Sequence, residues 1–157
     1  MSGLAERVVA AMAAKGRTCA TAESCTGGGV GSAITSVAGS SAVFNGGVIS
    51  YANSAKVDVL GVLPESLAKV GAVSPEVASQ MAAGAKRLLK VDFAVSLTGI
   101  AGPGGGSAEK PVGLVWFGLA SPDGVAVESR VFPGDRAAVR AAAVEHALKL
   151  LLAAVEH

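Results

Sequence analysis

The sequence predicts an α/β fold: a three-layer α/β/α sandwich built on a mixed, mainly parallel five-stranded sheet. Three observations carry that prediction. Segments of strand length at 17–22, 42–51 and 91–98 are separated by segments whose apolar residues recur at helical spacing. That alternation favours parallel pairing, with helices covering both faces of the sheet. Two more strand-like runs, 112–120 and 125–132, flank Pro122-Asp123-Gly124, a hairpin turn that adds antiparallel members. The composition is 51% apolar but 4% aromatic, with 21 glycines among 157 residues, so Ala, Val and Leu must build tightly packed layers. This length suits a single domain over 1–157, and no repeat or linker divides it.

The elements follow in order. Leu4, Val8, Ala11 and Met12 give residues 4–15 a helical apolar face, and Gly16 ends it. A short strand over 17–22 leads into Glu23, Ser24, Cys25 and Thr26, and a glycine-rich helix is predicted over 27–37. In the strand over 42–51, Gly46-Gly47 signals a bulge or a close backbone approach. Asn53 is a candidate N-cap for a helix over 54–60, and Pro64 opens another turn or helix. Ser74-Pro75-Glu76 is a stronger start signal, for a helix running to about Leu89. The strand over 91–98 empties into a glycine-rich loop at 99–106, where α/β proteins bind ligands. Asp135 caps a last helix over 136–154.

Several function classes lose support. A net charge of +1 without a Lys/Arg run offers no stripe for nucleic acid, so no direct nucleic-acid contact is expected. No apolar run approaches ~18 residues, so no membrane span is expected. Residues 4–15 do not read as a secretory signal, and Cys19 and Cys25 form no disulfide framework, which points to a cytoplasmic protein with reduced thiols. His146 lies inside the last helix and His157 at the terminus, so a Ser-His-Asp triad is poorly supported. The Cys and His spacing fits no metal site, and neither a Walker loop nor a dinucleotide fingerprint is present. No metal and no cofactor are expected.

Ser24 remains, on a turn between a strand and a helix. Without histidine, its base is most simply a lysine whose pKa burial has lowered. Lys56 follows the second strand, just beyond Tyr51, the only tyrosine. If the first two strands are parallel, Ser24, Tyr51 and Lys56 converge at one sheet edge. The alternative is an ordinary exposed lysine and a tyrosine packed at a strand end. Glu23 either orients a base or holds a substrate hydroxyl, or it caps the following helix. Cys25 fits a buried structural thiol better than a nucleophile. Thr98 and the 99–106 loop either bind phosphate or form a plain turn. Arg136 and Arg140, one turn apart, either grip an anion or form a solvated face.

Six blocks, in order, together resemble one family. They are 21–29 (Thr-Ala-Glu-Ser-Cys-Thr-Gly-Gly-Gly), 47–56 (Gly-Val-Ile-Ser-Tyr-Ala-Asn-Ser-Ala-Lys), 71–78 (Gly-Ala-Val-Ser-Pro-Glu-Val-Ala), 98–106 (Thr-Gly-Ile-Ala-Gly-Pro-Gly-Gly-Gly), 110–116 (Lys-Pro-Val-Gly-Leu-Val-Trp), and 132–136 (Phe-Pro-Gly-Asp-Arg) with Arg140. They are similar to the CinA C-terminal domain family, along nearly the whole chain. The resemblance implies a three-layer α/β/α fold and hydrolysis of the carboxamide of nicotinamide mononucleotide to the acid and ammonia, in pyridine nucleotide salvage. It puts the catalytic serine on Ser24, with Lys56 and Tyr51 as its partners. It puts the family's threonine on Thr98 and its last-helix arginine on Arg140, with Arg136 nearby, and the substrate contacts expected in all are Glu23, Thr26, Gly27, Thr98, Gly99, Gly102, Gly104, Gly105, Arg136 and Arg140. Many members carry an acidic residue where this chain has Gly104. Larger members carry a further N-terminal domain, so a stand-alone form is expected here. A small-molecule nucleotide substrate and a homodimer or higher homo-oligomer are also implied. The alternative is a non-catalytic, protein-binding module associated with competence and DNA damage.

Overall fold

A computed structural model describes residues 2–157. The helices are α1 (Ser2–Lys15), α2 (Gly29–Thr35), α3 (Asn53–Leu60), α4 (Pro64–Val70), α5 (Pro75–Leu89) and α6 (Arg136–Glu156). The strands are β1 (Cys19–Glu23), β2 (Phe44–Ile49), β3 (Phe93–Gly99), β4 (Leu114–Ser121) and β5 (Gly124–Val131). They form one sheet in the order β2-β1-β3-β4-β5. β1 pairs in parallel with β2 and β3, while β3–β4 and β4–β5 are antiparallel. This is the predicted mixed sheet.

Side-chain alternation on the strands sorts the core into two layers. Cys19, Phe93, Val95, Leu97, Val115 and Phe117 face α1, α2 and α6. Ala20, Ala22, Ala94 and Ala120 face α5. The second face is small by necessity. A Cβ on Gly118 would run into the carbonyl of Ala78, and the Ser96 hydroxyl donates to that same carbonyl at 2.6 Å. α5 therefore lies almost on the sheet backbone, which a larger residue would push away. α3 is drawn in likewise, since Gly84 of α5 leaves room only for the backbone at Leu60.

Local signals account for most boundaries. Ser74 accepts from the Val77 N–H and Asp135 from the Ala138 N–H, as their N-cap readings require. Pro122-Asp123 turns the chain between paired Ser121 and Gly124. The β1–β2 register slips between Cys19 and Ala20, whose partners are Phe44 and Gly46, so β2 carries the expected bulge. Gly47 faces the Thr21 hydroxyl, where a Cβ would collide.

Four expectations need correction. The second helix begins at Gly29 and not 27, because Gly27 and Gly28 adopt left-handed φ values of 59° and 100°. Residues 40–42 form a 3-10 turn, so the second strand starts at Phe44. The fourth strand begins at Leu114, after Gly113 approaches the Phe132 carbonyl at a φ of 97°. Asn53 is the first residue of α3 and not its cap; Ala52 precedes it without a side-chain cap. The undecided Pro64 segment is helical.

Candidate active site

The three parallel strands end on one edge of the sheet. Their ladder continues past them, with Ser24 N–H donating to the Leu97 carbonyl at 3.1 Å and Ser50 N–H to the Glu23 carbonyl at 2.8 Å. Three segments therefore leave the sheet side by side: the Ser24 turn, the Ser50-Tyr51 link into α3, and the Thr98-Gly99 exit into the glycine loop. Between them lies a cleft of about 290 Å³, lined from the expected set by Ser24, Tyr51, Lys56, Thr98, Gly99, Gly102, Gly104, Gly105 and Arg136.

Lys56 is the decisive residue. It is 1% exposed, among the largest fully buried side chains of the described residues. Its Nζ lies 2.7 Å from the Ser50 carbonyl oxygen, 3.3 Å from that of Tyr51 and 3.3 Å from Ser24 Oγ. Among the described residues no carboxylate forms an ion pair with it. Burial without a counter-charge disfavours the ammonium and lowers the lysine pKa. The only opposing influence is Cys25, whose thiol burial pushes up to about 11, so near neutral pH it carries no charge to offer. A neutral amine has two N–H donors and one lone pair. In that form the two carbonyls would take the donors and leave the lone pair for the Ser24 hydroxyl, whereas the ammonium would donate to all three oxygens. The bland alternative of an exposed lysine is overturned.

Tyr51 does not join this pair through its ring. The side chain is 63% exposed, and its hydroxyl accepts from Arg136 Nη2 at 3.2 Å. What Tyr51 gives Lys56 is its main-chain carbonyl. Tyr51, expected as a partner of Ser24 with Lys56, therefore meets Lys56 through its backbone and Arg136 through its phenol.

The side chains of Glu23 and Thr26, expected on the substrate, turn behind the cleft wall and bond each other. Glu23 is buried, accepting from Thr26 Oγ1 at 2.7 Å, Val30 N–H at 2.9 Å and Gly31 N–H at 3.0 Å. It is the capping carboxylate of α2, satisfying the N–H groups that a helix start leaves open. Gly27 donates its N–H to the Ser24 carbonyl, closing the turn at 3.1 Å. Arg140 also stays out of the cleft, donating to the main-chain carbonyls of Cys25 and Thr26. Arg136, one turn earlier, takes the place at the cleft mouth, with Nη1 on the Gly102 carbonyl at 2.8 Å.

The glycine loop owes its shape to its glycines. A Cβ on Gly102, at a φ of 84°, would press on Val112, whereas one on Gly104 would meet open space. Thr98 anchors the loop by donating to the Ala72 carbonyl at 2.9 Å. That bond brings Ala72 and Val73 to the cleft, where Asn53, Cys25, Ile100 and Ala101 also stand. None of these six was singled out as a substrate contact. Asn53 had a legible signal, three residues before Lys56 at the start of the same helix. His146 bonds Glu128 and meets Phe117 edge-to-face, away from the cleft, as a helix residue of the core edge.

The family model described as the CinA C-terminal domain matches residues 1–155. The chain is 52% identical over 149 residues to a protein named nicotinamide-nucleotide amidohydrolase PncC from Escherichia coli strain K12, covering 94% of this chain and 90% of that one. The solved structure of competence/damage inducible protein CihA from Agrobacterium tumefaciens is 46% identical. It matches with a TM-score of 0.95 over 99% of this chain and 95% of that one. A CinA superfamily protein from Klebsiella pneumoniae, 36% identical, matches with a TM-score of 0.95 over 99% and 98% of the two chains. Among the described residues, no helix is long and apolar enough to cross a membrane.

Proposed function

The chain belongs to the CinA C-terminal domain family, and from that premise we propose that it is an amidohydrolase converting nicotinamide mononucleotide to nicotinate mononucleotide and ammonia, with Ser24 as nucleophile and Lys56 as base. The observation that carries the mechanism is the buried Lys56 amine, 3.3 Å from Ser24 Oγ with two carbonyls as its other partners. The relative named for this activity supports the substrate.

Lys56 Nζ takes the Ser24 proton as Oγ attacks the carboxamide carbon. The carbonyl oxygen becomes an oxyanion, met by the main-chain N–H groups of Cys25 and Thr26, since Gly27 N–H is already held by the Ser24 carbonyl. The C–N bond then breaks, and the proton held on Lys56 goes to the leaving nitrogen, which departs as ammonia. Water attacks the resulting ester, again giving a proton to Lys56. The C–Oγ bond breaks, Ser24 regains its proton and the acid leaves. Thr98 and Asn53 line the same cleft and are the polar side chains proposed to meet the pyridine carboxamide. Arg136, with the 99–106 loop, is the group for the 5′-phosphate, since a guanidinium has five N–H donors and its neighbours here use two.

The test is ammonia release from nicotinamide, its riboside, its mononucleotide and the dinucleotide, by the wild type and by Ser24→Ala. The expected result is turnover highest on the mononucleotide and lost in Ser24→Ala. No turnover on any of them, together with saturable binding of a protein partner, would favour a binding module.

A further inference from the structure

Arg140 has the charge of an anion-binding residue, yet its guanidinium ends on main chain. Nε donates to the Cys25 carbonyl at 3.0 Å and Nη2 to the Thr26 carbonyl at 3.2 Å. These are successive peptide groups of the turn that carries Ser24. A planar guanidinium presents its donors in a fixed fork, so it holds two acceptors in one mutual orientation. We propose that Arg140 is a positioning residue: it fixes the peptide groups of the Ser24 turn, and through them the N–H that meets the oxyanion. This rests on the serine-nucleophile reading above.

The link runs through peptide geometry. A trans peptide is planar, with its C=O and N–H antiparallel. Holding the Cys25 carbonyl against Arg140 therefore directs the Thr26 N–H the opposite way, off the α6 side. Ser24 N–H is engaged with Leu97, Gly27 N–H with Ser24 and Gly29 N–H with Thr26, which leaves the N–H groups of Cys25 and Thr26 as the unengaged donors nearest Ser24. The Thr26 N–H has no hydrogen-bond partner among the described residues, although Thr26 is buried. A buried donor without an acceptor is costly, and a substrate oxygen developing negative charge at Ser24 would remove that cost. The turn is pinned from the other side too, by Thr26 Oγ1 on Glu23 at 2.7 Å. Gly27 completes the turn, because its φ of 59° lies in the left-handed region that favours glycine.

The experiment compares Arg140→Ala and Arg140→Lys with the wild type, measuring ammonia release from the mononucleotide and from the riboside, which lacks the phosphate. Loss of an oriented oxyanion donor lowers kcat by about 100-fold or more. The expected result is a kcat loss of that order on both substrates, with KM within twofold and partial recovery of Arg140→Ala by added guanidinium. Arg140→Lys, with one cationic head in place of a fork, keeps the charge but falls between wild type and alanine. Circular dichroism melts identify any variant that fails to fold, and Arg140→Lys then carries the comparison. A raised KM for the mononucleotide alone would make Arg140 a phosphate ligand and overturn the inference. An unchanged kcat on both substrates would also overturn it, leaving the serine mechanism intact. A wild type that releases no ammonia overturns the serine reading, and this inference with it.

Discussion

Replacing Glu23 by glutamine separates a capping carboxylate from a substrate ligand. In the native protein Oε1 accepts from Thr26 Oγ1 and Val30 N–H, and Oε2 from Gly31 N–H. Glutamine keeps one oxygen, so two bonds persist without their charge, while its amide group faces the Gly31 N–H donor to donor. Losing one bond to a charged acceptor costs ~1.5–3 kcal/mol. Weakening the other two, with loss of a negative charge at the start of α2, brings the total to about 3 kcal/mol. Domains of this kind hold roughly 5–15 kcal/mol, so the variant remains folded in buffer. Urea unfolding monitored at Trp116 should show a lowered midpoint with an unchanged slope. Ammonia kinetics on the folded variant should show KM for the mononucleotide within twofold of wild type. An unchanged midpoint with a KM raised tenfold would refute the capping argument and return Glu23 to the substrate.

Two further outcomes follow from the placement of Tyr51 and Lys56. Tyr51→Phe removes a hydroxyl that touches Arg136 and not Lys56, so kcat should stay within about threefold, whereas loss of a proton relay would cost ~100-fold or more; steady-state kinetics decide. Burial lowers the Lys56 pKa, so between that lowered value and the unfolded-chain value of about 10.4 the unfolded state binds more protons, and stability rises with pH. Lys56→Met lacks this contribution. The unfolding free energy of wild type minus variant should therefore grow in favour of wild type as pH rises through that window, and a flat difference would contradict a depressed pKa. Because the base acts neutral, kcat/KM of the wild type should rise with pH through the same ionisation.

The architecture was legible because its signals are local. Strand and helix periods, Ser74-Pro75-Glu76 and the Pro122-Asp123-Gly124 turn each specify their own segment, and parallel pairing then brings Ser24 and Lys56 to one edge. What was not legible depends on where side chains end. Arg136 and Arg140 share one helical face, separated by one turn of roughly 5–6 Å along the axis. Sequence spacing puts them together, but the cleft mouth lies level with only the first. Tyr51 and Lys56 sit near each other in the chain, and only the path out of β2 decides that the tyrosine offers its carbonyl inward and its ring outward. The capping and substrate roles of Glu23 differ by little more than a side-chain rotation. The start of α2 was misread because the left-handed backbone at Gly27 and Gly28 resembles, in sequence, any glycine-rich helix start.

The central claim is that Ser24 Oγ, activated by neutral Lys56, forms a covalent ester with the pyridine carboxyl group. Rapid acid quench of enzyme turning over the mononucleotide, followed by peptide mass analysis, tests it most directly. The predicted result is an acyl adduct on the peptide containing Ser24 in the wild type, absent from Lys56→Arg, since arginine stays protonated and cannot take the proton. Ammonia release by Ser24→Ala at the wild-type rate, with no adduct on the wild-type peptide, would contradict it.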